Sequence, residues 1–544
     1  MTYDNRHLRE AFQRVPEIGD GHRWYDFPYR LIRNTLRSRV GRRIPRRVRQ
    51  LLTYALNFLH PFNDHHRNLA WDPSDPWHNV TPPDEETLDI PGVWVIELFP
   101  PSEFDALVRS LDKNSWDTQR VRYGFGERNR DQLESLRSGR GGGWWRLGNV
   151  VSPGTFANPD AKVSKLPQDF TEVELTAAHI GDGLTAVVAF FNVSQGGACS
   201  LNNEWHRAHE AQLRWRNGRP VTEDRKWSSF RVTQGSRKLL HDRARNWMRD
   251  TLPGAFARRG VPQPLIELML FSHYDPTLGT RMSLELSDAL RALGLNCGPV
   301  EHCTSETFPG LLLDSAENRT CPTLDDNTWA LWGQRTKVAS LISHLHLYGG
   351  DSGSSIAHRI NDGVRETLRL LSVSAFLGEV QAEFSRLRDA ARAQHGKFNA
   401  RRLRKMRDTF LEMSIDLSSI VRDVKHFHSR SRRVSEIPVF ILEEPAWLAD
   451  QLRDTGNAIP PMDYTNMLLE SQEREVTDLA IEDREYREIL SGVASLGASI
   501  DTFKVGRVAL WVALLSLAVS MVALLLADVG SDTVLSRIVR FIAG

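Results

Sequence analysis

Cysteine and lysine are both scarce: 4 Cys stand among 544 residues, and only 10 of the 69 basic residues are Lys. Four cysteines exclude a disulfide-stapled secreted scaffold, and in a reducing compartment they are expected as free thiols. The Arg skew points to a GC-rich, bacterial coding sequence, so an Arg at any one position says little by itself. Net charge is almost absent as well. At +1, the whole-chain balance selects no partner, and only local clusters can do so. The start, MTYDNRHLREAF, lacks the apolar run of a secretory signal. Elsewhere long apolar runs are missing: Leu184 to Phe191 is far too short to cross a bilayer. With 25% charged and 41% hydrophobic residues, the chain reads as globular, with room for two to four domains.

One stretch breaks that pattern. Asp463 to Ala527 contains no proline, and its last part, Val508 to Ala527, carries no charge. Twenty residues at 1.5 Å rise make about 30 Å, the thickness of the hydrocarbon core, and only a helix satisfies its backbone there. Small residues follow an unbroken 3-4 spacing: Gly492, Ser495, Ser499, Thr502, Gly506, Ala509, Ala513, Ser516, Ser520, Ala523 and Ala527. Such a stripe lets helix backbones approach closely in a membrane, although Ala, Ser and Gly are also simply common in spans. The expected packing residues are Gly506, Ala509, Ala513, Ser516, Ser520, Ala523 and Ala527. Lys504 and Arg507 flank one end while Asp528 and Asp532 begin the other, so the bulk of the chain is expected on the cytoplasmic side.

Before the anchor, residues 1–85 form a basic region and linker. Between Arg23 and Arg49 there are ten Arg and one acid, Asp26. Leu31, Ile32, Leu36, Val40, Ile44 and Val48 interleave with them, and Pro45 interrupts any single helix. Arg37, Arg39, Arg42, Arg43, Arg46 and Arg47 are candidate contacts to anionic lipid. Nucleic-acid backbone is the weaker alternative, and an ordinary solvated basic face is the bland one. The stretch WDPSDPWHNVTPPDEE reads as a linker.

Residues 86–350 read as an α+β globular domain. Val93 to Phe99 is an expected strand after Pro91-Gly92, and Ser102 with Asp105 opens a helix in capping-box style. Thr171–Ile180 and Leu184–Val193 form a hairpin across Gly181-Asp182-Gly183. Helices are expected over Leu201–Trp215 and Gly235–Thr251, the second with Leu239, Leu240, Ala244, Trp247 and Met248 on one face. Trp144, Trp145, Trp329 and Trp332 are expected in the core or at domain contacts.

Residues 352–430 read as an antiparallel helical hairpin. One helix runs from Ser354 to Gln394, and the other, from Asn399 to His428, carries Leu403, Met406, Phe410, Met413, Leu417, Ile420, Val424 and Phe427 in 3-4 spacing. Its tip, Arg386 to Arg407, has nine basic residues against Asp389 alone. A Pro-containing linker, 431–462, includes Val439 to Leu442 as an expected edge strand. Asp463 caps a stalk helix, 463–507. From Glu470 to Glu488 it holds eight acids and three Arg, with Val476, Leu479 and Tyr486 near a coiled-coil register. The span, 508–527, and a short amphipathic tail, 528–544, complete the layout. The expected fold is an α+β cytoplasmic domain, a helical hairpin, and a stalk helix continuing into one C-terminal transmembrane helix.

No motif names a reaction. Cys297, His302, Cys303 and Cys321 lack zinc-knuckle spacing. His206 and His209 with Glu210 make no His-Glu-x-x-His helix and are expected as exposed decoration. His344 with His346, His426 with His428, and Asp325 with Asp326 are no stronger. Gly124–Gly126 and Gly141–Gly143 lack the partners of a nucleotide loop. No metal or cofactor is expected. The order of elements resembles that of CorA-type magnesium channels. That family has a second span and a Gly-Met-Asn motif between the two, whereas Asp528, Val529 and Gly530 follow the span here, so no ion-site residue carries over.

Three functions fit. The favoured one is a single-pass, tail-anchored protein that self-associates through stalk and span as a scaffold, sensor or effector without its own catalysis. Its partners are the bilayer and further copies of the chain. The alternatives are a membrane-tethered enzyme with a pocket in 86–350, and a pore-forming effector whose lumen Thr502, Ser516 and Ser520 line.

Overall fold

The computed structural model describes residues 26–39, 41–71, 80–117, 128–138, 143–154, 161–207, 209, 211–216, 219–278, 287–295, 302–316, 323–394, 400–428, 436–444, 453, 460–526 and 534–544. The strands are β1 (Leu88–Phe99), β2 (Trp144–Val151), β3 (Lys162–Val163), β4 (Phe170–His179), β5 (Thr185–Val193), β6 (Gln212–Arg216), β7 (Arg219–Glu223), β8 (Leu265–Phe271), β9 (His302–Thr304), β10 (Leu311–Ser315), β11 (Thr328–Gln334), β12 (Ile441–Glu443) and β13 (Met462–Asp463). The α-helices are α1 (Asp26–Arg37), α2 (Arg46–Trp71), α3 (Phe104–Lys113), α4 (Asn129–Arg137), α5 (Gln195–His206), α6 (Arg225–Thr251), α7 (Ala255–Arg259), α8 (Ser287–Leu293), α9 (Arg335–Leu341), α10 (Gly353–Gln394), α11 (Ala400–His428), α12 (Tyr464–Leu526) and α13 (Val534–Ala543).

The chain divides into two compact units, Met1–Phe384 with Ile415–Thr477, and Ser385–Ser414 with Asp478–Gly544. The first holds an eleven-stranded mixed sheet, in the order β13-β12-β9-β10-β11-β8-β1-β5-β4-β2-β3. The β8–β11 and β2–β3 pairs are parallel and the rest antiparallel. β6 and β7 form a separate hairpin.

β1 is the sheet's buried spine. Leu88 and Ile90, then Val93, Val95 and Phe99, all enter one core with Leu240, Ala244, Trp247 and Met248 of α6. Side chains alternate faces along a strand, so moving from even to odd numbers requires one extra residue. A bulge between Asp89 and Gly92 supplies it. The opposite face packs on α10: Trp94 stacks on Phe190 at 4.7 Å, and its indole N–H donates to Asn361 Oδ1 at 2.8 Å. A methyl on Gly92 would stand 2.6 Å from the Phe190 ring. With both faces covered, the continuous apolar runs of β1 and β5 are explained; each fully buried large side chain contributes about 1.5–3 kcal/mol.

The β4–β5 hairpin forms as the sequence predicts, with Ile180 N–H donating to Leu184 O at 2.9 Å across the turn. Asp423 of α11 clamps that turn, accepting from Gly183 N at 2.7 Å and Leu184 N at 2.8 Å. The spans of α10 and α11 match the predicted helices to within a residue. In the first unit Gln472 of α12 ties three helices together. Its amide donates to Leu370 O and Ser374 Oγ of α10, and its oxygen accepts from His428 of α11. Asp463 caps α12 as expected, accepting from Asn466 N at 2.8 Å.

Several local expectations are corrected. β1 begins at Leu88 and passes through Pro91-Gly92, because the bulge absorbs both residues. Ser102 caps nothing: α3 follows a 3-10 turn without a side-chain cap, and Ser102 donates to Asp416 instead. The helix expected over Leu201–Trp215 starts at Gln195, where Ser194 caps it, and stops at His206; Trp215 lies in β6. α6 begins at Arg225, not Gly235, because Asp224 accepts from Trp227 N. Leu239 on it is 50% exposed, outside the apolar face. The described part of the supposed linker is fixed in place: Val80 packs with Phe230 and Ala292, and Glu86 accepts from His273 N and Tyr274 N. The acidic stretch of α12 has one buried side, Gln472, Val476, Leu479 and Asp483. There, in the second unit, Asp483 accepts from Ser414 and Arg487.

Candidate functional site

Among the described residues one helix segment, Gly506–Ala523 within α12, is long and apolar enough to cross a bilayer, and none of it is buried against the rest of the chain. Gly506, Ala509, Ala513, Ser516, Ser520 and Ala523 all lie on it and are exposed; Ala527 lies outside the described residues. Large apolar side chains share the segment, including Trp511 at 63% exposed and Leu515 at 65%. In water each would forfeit burial worth about 1.5–3 kcal/mol, so the segment requires another apolar phase or another helix. α13 is amphipathic, with Phe541 and Ile542 exposed beside Arg537 and Arg540.

The basic region folds as the sequence implies around Pro45. α1 ends at Arg37, a 3-10 turn spans Gly41–Arg43, and α2 begins at Arg46. Tyr29 and Leu59 pack together with Ile32, Leu56 and Phe58, and Thr222 of β7 donates to Phe58 O at 3.0 Å. Arg37, Arg39, Arg43, Arg46 and Arg47 are exposed, while the Arg42 side chain lies outside the description.

The polar chemistry of the first unit centres on α6. Arg225, Ser229, Thr233, Arg237, His241 and Arg245 recur every fourth residue, and all are buried. Arg237 Nε donates to Glu267 Oε1 on β8 at 2.5 Å, and His241 Nε2 lies 3.0 Å from the same oxygen. Burial opposes charge on Glu267, but Arg237 and His241 beside it hold its carboxyl down at about 2. Burial lowers His241 below the usual imidazole range. Arg245, brought down to about 10 by burial, donates to Gln263 O and Thr328 Oγ1, both at 2.8 Å, tying α6 to the starts of β8 and β11. Glu97 of β1 is pushed up to about 7 by burial, against hydrogen bonds from Gln263 and from Phe256, Ala257 and Leu98 N–H groups. These groups clamp the sheet to its helices; Arg237, His241 and Glu267 have essentially no solvent exposure. Sequence reading missed the series because a polar residue every fourth position usually marks a wet helix face.

A cavity of about 430 Å³ opens between the β9–β10 connection and α10. Its walls carry Glu306, Asp362, Glu366 and Glu436 against Arg359. Arg359 Nε donates to Ser343 O at 3.1 Å, Asp362 pairs with Arg365 at 3.1 Å, and Glu366 pairs with Arg369. Gly363 makes room for Phe308, since a methyl there would meet its ring at 2.9 Å. The wall offers charge and shape to a ligand.

No family model matches this chain, and neither does any curated protein or solved structure. The cavity lies only partly within residues 86–350, since α10 forms one wall. Among the described residues no three His, Cys, Asp or Glu are grouped to hold a metal ion.

The remaining candidates do not converge. His302 and Cys303 are neighbours on β9 and so face opposite sides of the sheet. Burial pushes the Cys303 thiol up to about 12. His206 and His209 are not exposed decoration: His206 bonds Asn202 O and Glu86 O, and His209 is buried against Glu204 O. Asp325 pairs with Lys238 and Arg245. His344 and His346 face each other at 6.0 Å between ring centres. Trp332 is in the core and Trp145 donates to Asn129, but Trp144 is 43% exposed, with the Arg365 guanidinium over its ring. Glu210, Cys297, Cys321, Gly124–Gly126 and Gly141–Gly142 lie outside the described residues.

Proposed function

We propose that this chain is a membrane-anchored protein whose α12 helix inserts in the bilayer and packs against copies of itself, with the globular part held at the cytoplasmic face as a scaffold, sensor or effector. The observation that carries this reading is the Gly506–Ala523 segment, uncharged from Val508 onward and covered by none of the other described residues. Lys504 and Arg507 at its N-terminal end support the cytoplasmic orientation. Ala509, Ala513, Ser516, Ser520 and Ala523 form a narrow small-residue face at 4-3-4-3 spacing, which permits close backbone approach and hydrogen bonds from Ser516 and Ser520.

The test is the assembly state of the full chain in lipid nanodiscs or mild detergent, measured by native mass spectrometry. Ala513→Leu with Ser520→Leu should dissociate the assembly, whereas Leu514→Phe, off the small face, should leave it intact. A wild-type monomer at all protein concentrations, or an assembly indifferent to both changes, rejects the reading.

A further inference from the structure

We propose that the helix pair α1–α2 is a docking surface for anionic lipid headgroups. The proposal rests on the membrane-anchored reading and adds a second, composition-dependent contact to it.

Eight arginines, Arg30, Arg33, Arg37, Arg39, Arg43, Arg46, Arg47 and Arg49, lie on this pair, all exposed except the half-buried Arg33. Among the described residues none of them makes an ion pair. Between Arg30 and Arg49 the sequence has no carboxylate, and Asp26 at the start of α1 is buried. Elsewhere in the first unit basic side chains do find acids, as at Arg243–Asp169 and Lys337–Asp275. Among the described residues, this surface is therefore a concentrated positive field whose arginines have no acidic partner.

Charge alone would suit any phosphate-bearing polymer. The apolar residues decide between them. Phe27 and Leu31 of α1 are 75% and 55% exposed, and Leu51 and Tyr54 of α2 are 67% and 73% exposed. They lie on the outer sides of the helices, while Tyr29, Ile32, Leu56 and Leu59 fill the inner contact. Each helix thus presents bulky apolar side chains alternating with guanidinium groups: Phe27, Arg30, Leu31 and Arg37 on α1, and Arg47, Val48, Leu51 and Tyr54 on α2. A nucleic-acid backbone gives Leu31 and Leu51 nothing to bury against. A headgroup layer does, because the arginines pair with phosphates while the apolar tips enter the acyl boundary.

The experiment uses the full chain in nanodiscs of phosphatidylcholine alone or of phosphatidylcholine with phosphatidylglycerol. α12 should insert in both, so failure of the anchor shows as loss of the chain from both kinds of disc. The readout is the rate of tryptic cleavage after Arg46, Arg47 and Arg49, followed by mass spectrometry. Cleavage is expected to slow at least tenfold in the anionic discs only. Arg30→Gln, Arg37→Gln, Arg39→Gln and Arg43→Gln together, which leave the three cleavage sites in place, should abolish the difference, each charge carrying about a fivefold share of docking. A second measurement is quenching by brominated lipid of a bimane placed by Leu51→Cys, with Cys199→Ala, Cys297→Ala and Cys321→Ala in the background and Cys303 buried; quenching should need the anionic lipid. Equal cleavage in the two discs without quenching overturns the proposal. So does protection by an added DNA or RNA duplex where phosphatidylglycerol gives none, which would assign the surface to nucleic acid.

Discussion

Glu267→Gln is the sharpest probe of what holds the sheet to α6. Glu267 and Arg237 are both fully buried, and the carboxylate is shared with His241. Removing its charge leaves the Arg237 guanidinium without a counter-ion in the core, a change that costs about 3–5 kcal/mol. Gln retains one acceptor for Arg237 Nε and should recover about 1 kcal/mol of that. The net loss is then about 3 kcal/mol. A unit of this size has an unfolding entropy near 1 kcal/mol per kelvin, so the melting temperature should fall by roughly 3 °C. The assay is near-UV circular dichroism of the full chain in mild detergent. Glu134→Gln, which breaks the exposed Arg130–Glu134 pair, is the control and should not shift the transition. Glu267→Leu with Arg237→Met should recover much of the lost stability, because two apolar groups replace the pair. If Glu267→Gln melts with the wild type, the network is not a clamp and the reasoning fails.

Three further outcomes follow from the same geometry. Because Glu267 is held at about 2, its contribution is fully present above its ordinary pKa near 4.5 and is lost as pH falls toward 2, an amount of about 3 kcal/mol. Between pH 5 and pH 3 the wild type should therefore lose more melting temperature than Glu267→Gln, and equal losses would contradict this. Gly181→Ala places a methyl 2.3 Å from Asp423 Cβ and should cost about 1–3 kcal/mol; Asp423→Ala should cost about 1–3 kcal/mol by orphaning two N–H groups. The double variant should cost less than the sum in thermal melts, and strict additivity would show the two do not share one contact. Cys199 is exposed and Cys303 is buried with its thiol pushed up to about 12, so maleimide mapping of the native chain should label the first and spare the second.

Local signals carried much of the fold. The Gly-Asp-Gly turn fixed the β4–β5 hairpin, the 3-4 apolar series delimited α11, and Asp463 marked the start of α12. Where sequence reading erred, a competing local signal was present. Asn217-Gly218 is a two-residue hairpin signal that the helix expected over Leu201 to Trp215 left unused. Pro91-Gly92 looked like the end of a turn, yet a bulge lets β1 run through it. The order of the sheet was not legible, because β8 pairs with β1 across some 170 residues and local periodicity holds no such information. The polar face of α6 was hidden for a related reason: its partners, Glu267, Asp325 and Thr328, lie on other elements. On α1, α2 and α12, the sequence located the arginines and the apolar segment but not the outward placement of Phe27, Leu31, Leu51 and Tyr54.

The central claim is that the small face of α12 is where copies of this chain meet inside a bilayer. A cysteine placed singly at each position from Val508 to Ala523, in membranes holding the full chain, tests it directly through oxidative crosslinking. The account predicts crosslinks peaking at positions 509, 513, 516, 520 and 523, with minima on the opposite face at Trp511, Leu514 and Ala518. Crosslinking that is uniform along the helix, absent, or in phase with the large residues would contradict it.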